Sequence, residues 1–171
     1  MDIQIRQLTA GDAAEYAALR QEALLNAPLA FASSPEDDRA SSAEAVVQIL
    51  AKGPDNFIVG AFAGAIIGAA GFYRDQHVKA AHKGHIWGMY VRPGFRRHRV
   101  ASKLLAAVVE HARTRGIEWI HLGVSAAAPE AKQLYERVGF RVWGTEPDAL
   151  RYKGQSEVEH FMAMRILPEG G

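Results

Sequence analysis

Between His85 and Arg113 the sequence runs from an apolar strand, through a break at Pro93-Gly94, into Arg96-Arg97-His98-Arg99 and then a periodic segment. In that last segment the apolar residues fall at 101, 104, 105, 108, 109 and 112. This is the i, i+3, i+4 spacing of a helix with one buried face, and Arg113, Arg115 and Gly116 close it. His85 to Arg92 reads as a central strand that Pro93 ends. A strand that feeds a basic loop and then a helix restricts the chain to sheet-and-helix architectures. It also makes an anion site, because the first N–H groups of a helix have no partner inside it and lie at the positive end of its dipole. Arginine adds paired hydrogen bonds to phosphate oxygens. The alternative for the four basic residues is a solvated turn.

The rest of the chain supplies the layers around this unit. Ile3, Ile5 and Leu8 form an opening strand, and Thr9 with Asp12 caps a helix carrying Tyr16, Leu19, Ala23 and Leu24. Residues 26–42 are rich in Pro, Ser and Asp and read as a loop. A second helix follows through Val46, Val47 and Leu50, stopping at Gly53-Pro54. Residues 57–62 and 65–73 form two antiparallel strands joined at Ala63-Gly64. Residues 117–124 form another strand, Pro129 starts a helix through Leu134, Tyr135 and Val138, and Gly139 ends it. Residues 140–143 and 158–166 close the chain as a hairpin with a long loop between them. Hairpins mixed with strand–helix–strand units predict an α/β or α+β fold, a mixed sheet covered by helices, over a single domain of residues 1–171.

Composition narrows the function classes. The 49% hydrophobic and 23% charged content is that of a globular protein. No apolar run is long enough to cross a bilayer, and Met1 to Ile5 lacks the basic and apolar blocks of a secretory signal, so no membrane association and a cytoplasmic location are expected. The absence of cysteine removes disulfides, thiolate metal sites and a Cys nucleophile. His77, His82, His98, His111, His121 and His160 show no metal-ligand spacing, and no metal is expected. A net charge of +1 gives little support to a nucleic-acid partner.

Val91 to Leu105 resembles the coenzyme motif of the GNAT N-acetyltransferases, Arg/Gln-x-x-Gly-x-Gly/Ala, with Arg96 and Ala101 at its two ends. Downstream, Ala131-Lys132-Gln133-Leu134-Tyr135-Glu136-Arg137-Val138-Gly139-Phe140 is similar to the second signature, Ala-x-x-Leu-Tyr-x-x-x-Gly-Phe. The resemblance extends loosely to Trp87–Val91 and Glu159–Met162. It implies a GNAT-like, mostly antiparallel sheet of about seven strands flanked by about four helices, splayed open between the fourth and fifth strands. It also implies acetyl-CoA as cosubstrate, with a primary amine attacking the thioester directly. The pantetheine arm would pair with backbone around Met89, Tyr90 and Val91, like an added strand. The N–H groups of Arg97, His98, Arg99, Val100, Ala101 and Ser102 would hold the pyrophosphate. Arg99 stands where the motif has glycine, and a side chain there has to avoid a strained positive-φ geometry. Ala128 stands where an asparagine is common.

Tyr135 matches the family tyrosine implicated in protonating or hydrogen-bonding the CoA sulfur, and with a reference pKa of about 10 it is neutral at pH 7. Without the motif it reads as a core tyrosine. His85 is the candidate general base, since it begins the central strand and histidine titrates near neutral pH. Water, Glu36 or capture of neutral amine are the alternatives. Trp87 and Trp143 read as core or pocket walls. The acceptor loops are expected at residues 29–42 and 143–156, where Glu36, Asp37, Asp38, Glu146 and Asp148 suit a cationic amine or are merely solvated. The acceptor is a small-molecule or peptide amine, and homodimers are frequent among similar proteins. A non-catalytic acyl-CoA-binding domain is the rival to the enzyme.

Overall fold

In the computed structural model the elements run β1 (Gln4–Gln7), α1 (Ala13–Asn26), α2 (Ala43–Leu50), β2 (Asn56–Ala63), β3 (Ala65–Arg74), β4 (Lys83–Val91), α3 (Val100–Thr114), β5 (Trp119–Ser125), α4 (Pro129–Val138), β6 (Arg141–Tyr152) and β7 (Gln155–Arg165). The structure describes residues 1–167, so the last four residues of the expected domain lie outside it. One seven-stranded sheet has the order β1-β2-β3-β4-β5-β7-β6. All its pairings are antiparallel except β4 with β5. This is the mixed, mostly antiparallel sheet with four flanking helices that the motifs implied.

Two cores sandwich the sheet. On one face α3 inserts Val100, Leu104, Leu105, Val108 and Ala112, all fully buried, beside Leu134 and Tyr135 of α4. On the other face α1 and α2 bury Tyr16, Leu19, Ala23 and Val46 against Ile58, Ile66 and Ala69. Burying one such large aliphatic side chain contributes about 1.5–3 kcal/mol, so α3 is held by packing more than by its N-cap, Arg99, which makes no side-chain capping bond. Ser42 does cap α2, its Oγ accepting the Ala45 N–H at 3.1 Å. No helix among the described residues is long and apolar enough to cross a membrane.

The β4–β5 junction decides where a ligand can enter. The two strands pair only over Lys83–His85 with Trp119–His121 and then part. The register of β4 against β3 shifts between Ala69 and Gly71, opposite Gly88, whose φ of 63° is open to glycine without strain. This bulge bends β4 away from β5, and residues beyond His85 present an unpaired edge to the gap.

The end of the chain differs from expectation. Residues 143–156 are not a long loop. β6 and β7 extend through them and meet at Lys153-Gly154, both with positive φ (48° and 78°), the geometry of a tight hairpin turn. β6 is largely exposed on both faces, so it lacks the apolar alternation by which a half-buried strand is read. Register shifts between Val142 and Gly144 and between Glu146 and Leu150 blur the pattern further.

Candidate active site

The basic loop adopts the geometry that an anion needs. Pro93 to His98 form a 3₁₀ segment, Arg99 turns the chain, and α3 starts at Val100. Lys103 N–H donates to Arg99 O at 3.1 Å, which leaves the N–H groups of Val100, Ala101 and Ser102 without an acceptor inside the helix. Val100 is buried and anchors the turn, whereas Arg96, Arg97, His98, Arg99 and Ser102 are exposed around it. Arg99 does not avoid the positive-φ region as expected. It occupies it, at φ 58° and ψ 24°, a left-handed conformation that a side chain tolerates at about 1 kcal/mol. The packing of Val100 below it fixes the turn.

Arg96 has a different task from its neighbours. Its Nε donates to Val91 O at 3.0 Å, and its guanidinium lies 5.8 Å from the centre of the Tyr90 ring, so it ties the loop back to β4. Arg92 N–H donates to Ile67 O across β3; by antiparallel alternation the N–H of Val91 therefore points into the gap. The Tyr90 side chain lies in the α1–α2 core, with its hydroxyl donating to Glu22 Oε1 at 3.1 Å, so only its backbone borders the gap. Met89 lines the gap directly.

Two cavities meet in the opening. The narrow one, about 80 Å³, is lined by Met89, Val124, Ala128, Ala131 and Tyr135. The wide one, about 500 Å³, is lined by Arg20, Ser33, Arg39, Tyr73, His85, His121, Trp143, Glu159 and Phe161. Phe31, Trp87, Gly88, Leu122 and Gly123 border both. Tyr135 thus reaches the slot from the α3–α4 side and His85 from the α1–α2 side, on opposite sides of their shared residues. Burial pushes the Tyr135 hydroxyl above its ordinary range and keeps it protonated. Ala128 makes no side-chain cap for α4; the buried Ser125 holds that turn instead, its Oγ accepting Ala127 N–H at 3.1 Å.

His85 stacks on Tyr73, with centroids 4.8 Å apart, and its Nε2 lies 2.9 Å from Asp75 Oδ2. Burial pushes the Asp75 carboxyl up, but the hydrogen bond and charge of His85 outweigh this and hold it below the usual range, so Asp75 is anionic. With Nε2–H donated to Asp75, Nδ1 is the nitrogen left to accept a proton. His121 stands 5.6 Å from His85, and burial, with the charge of Lys83, lowers its pKa.

The loop acids are mostly spent. Asp38 accepts Arg20 Nε and Nη2 at 3.0 and 2.9 Å, Asp37 accepts Ser34 N–H, and Asp148 pairs with Arg151. Glu36 is exposed and does not line the wide cavity. The acid that does line it is Glu159, half-buried on β7 with its carboxylate over Gly123, where a Cβ would collide with it. Burial and the facing Glu146 push the Glu159 carboxyl up. Sequence reasoning missed Glu159, Arg39 and His121 as wall residues and Asp75 as the partner of His85, since strand pairing and the loops between elements bring them together only in the folded chain. Trp87 and Trp143 do serve as walls. No group of three His, Asp or Glu side chains among the described residues is placed to hold a metal ion.

A free helix N-terminus and an unpaired strand edge fit a pyrophosphate and an extended amide-bearing arm. Residues 17–140 match the model of the Acetyltransferase (GNAT) family. The chain belongs to the GNAT acetyltransferases. No curated protein matches it in sequence. Among solved GNAT-like structures, a GNAT-family acetyltransferase from Streptococcus pneumoniae superposes with a TM-score of 0.84 at 22% identity, over 96% of this chain and 99% of that one. The yncA protein of Salmonella typhimurium, solved with its cofactor acetyl-CoA, gives 0.83 at 18% identity, over 99% and 96%. A ribosomal-protein-alanine N-acetyltransferase from Brucella melitensis gives 0.82 at 23%, over 95% and 99%. At these identities the likeness is one of fold.

Proposed function

We propose that this GNAT protein moves the acetyl group of acetyl-CoA to a primary amine seated in the wide cavity. The observation that carries the reading is the slot between β4 and β5, which joins a helix N-terminus and Tyr135 on one side of the sheet to a polar cavity on the other. The N–H groups of Val100, Ala101 and Ser102 hold the pyrophosphate, within the field of Arg97, His98 and Arg99. The Ser102 hydroxyl stands beside them. The Val91 N–H and the backbone from Met89 to Tyr90 pair with the pantetheine amides.

Bound there, acetyl-CoA supplies a thioester whose carbonyl carbon accepts the amine nitrogen and whose sulfur leaves. His85 takes the amine proton at Nδ1 while Asp75 holds its ring in place. Tyr135, protonated beforehand, gives its proton to the departing sulfur. Proton donor and acceptor stand on opposite sides of the slot, so the amine enters from one side and the coenzyme from the other.

Release of free CoA thiol in the presence of an amine panel tests the reading. Amine-dependent release is expected, with turnover about 100-fold lower in Tyr135→Phe and acetyl-CoA affinity unchanged. Binding of acetyl-CoA without amine-dependent thiol release would make the chain a binding protein instead.

A further inference from the structure

We infer that the acceptor is a zwitterionic amine, a free amino acid whose carboxylate is held by Arg39 and Arg20 while its amine faces Glu159. The inference rests on the acetyl-transfer reading and names the substrate class of that site.

The wide cavity is polarised. On the α1 side two guanidiniums converge on the Trp87 ring, Arg20 at 5.6 Å and Arg39 at 4.9 Å from its centroid. Of the two, only Arg20 is paired with a carboxylate, that of Asp38. Arg20 Nη1 is fully buried without a hydrogen-bond partner, although the residue lines the cavity. It lies 3.0 Å from where a Cβ on Gly88 would sit, at the border of the two cavities. A buried guanidinium nitrogen left without an acceptor costs about as much as a lost charged hydrogen bond. An incoming carboxylate oxygen supplies that acceptor, and the Arg39 fork takes the other oxygen.

The opposite wall carries the reverse charge. Glu159 borders the same junction through Gly123, and neither it nor Arg39 forms an ion pair among the described residues. An amine lacking an acid would leave Arg39 and the Arg20 Nη1 nitrogen unanswered, and an acid lacking an amine would meet Glu159. A ligand with both groups answers each. The aromatic walls Phe31, Trp143 and Phe161 leave room for an apolar side chain, and a cavity of about 500 Å³ suits a small molecule.

Calorimetric titration of the protein saturated with CoA, the unreactive thiol form, tests this. The twenty proteinogenic amino acids are compared with their decarboxylated amines, for example L-phenylalanine with phenethylamine. At least one amino acid is expected to bind 10- to 100-fold tighter than its matched amine, and Arg39→Gln to cut that ratio by about fivefold or more. Arg39 is exposed, so its replacement leaves the fold intact. Amines that bind as well as their amino acids, or a preference undiminished by Arg39→Gln, would overturn the inference. If acetyl-CoA binds and amines lacking a carboxylate are acetylated without such a preference, this inference alone falls. If neither happens, the acetyl-transfer reading falls with it.

Discussion

At the scale of single residues, the site depends on which charges are already answered. Asp38, Asp37 and Asp148 stand in segments expected to attract a cation, yet each is bonded within the protein, while Glu159 is left facing the cavity. Sequence spacing could not reveal this, because Arg20 and Asp38 meet only when α1 packs beside the loop that follows it. His85 was legible through its place on the central strand; its partner Asp75 was not, since the pair forms across the turn between β3 and β4. A base must be unprotonated to accept the amine proton, so rate rises with pH through its titration. His85→Ala is expected to lower kcat by about 100-fold and to flatten that rising limb. Asp75→Asn, which keeps the ring hydrogen-bonded but removes the charge, shifts the limb without abolishing it. A rate–pH profile unaltered in His85→Ala would return the residue to a structural role.

At the scale of elements, the best-read parts were those whose periodicity is enforced by burial. Of the apolar positions of α3, Leu104, Leu105, Val108 and Ala112 have no exposed surface while Ala101 and Val109 are partly covered; the face expected for α1 is buried, as are Leu134 and Tyr135 of α4, whereas Val138 is exposed. β6 was misread because nothing buries it: a strand exposed on both faces carries no alternation, and its tight turn is made by Lys153-Gly154 rather than Asn-Gly. The coenzyme turn was legible as a motif but not in its conformation. Arg99 holds the left-handed geometry that glycine would take freely. Arg99→Gly is therefore expected to raise unfolding free energy by about 1 kcal/mol in urea denaturation. Loss of its charge weakens acetyl-CoA binding by only about 2- to 5-fold. A destabilised Arg99→Gly, or one that no longer binds, would mean that the side chain itself holds the loop.

At the scale of the whole molecule, the fold is a sheet joined in its middle by three residue pairs, Lys83–His85 against Trp119–His121, and opened beyond them. The strands β1–β4 carry the bulge, the basic turn follows β4, and β5–β7 carry Gly123 and Glu159. A coenzyme lying in the gap would bridge the two halves, with the wide cavity behind it. The order of elements and the opening followed from the motifs, whereas the cavity's polarity required the folded chain. Residues 89–102 are proposed to hold a CoA ester by its pyrophosphate and pantetheine. Calorimetric titration with acetyl-CoA, beside dephospho-CoA and acetyl-pantetheine, tests that claim most directly. Saturable one-to-one binding of acetyl-CoA is expected, retained in large part by dephospho-CoA and weakened by about 100-fold or more in acetyl-pantetheine, which lacks the pyrophosphate. Equal binding of acetyl-CoA and acetyl-pantetheine, or no binding of either, would contradict it.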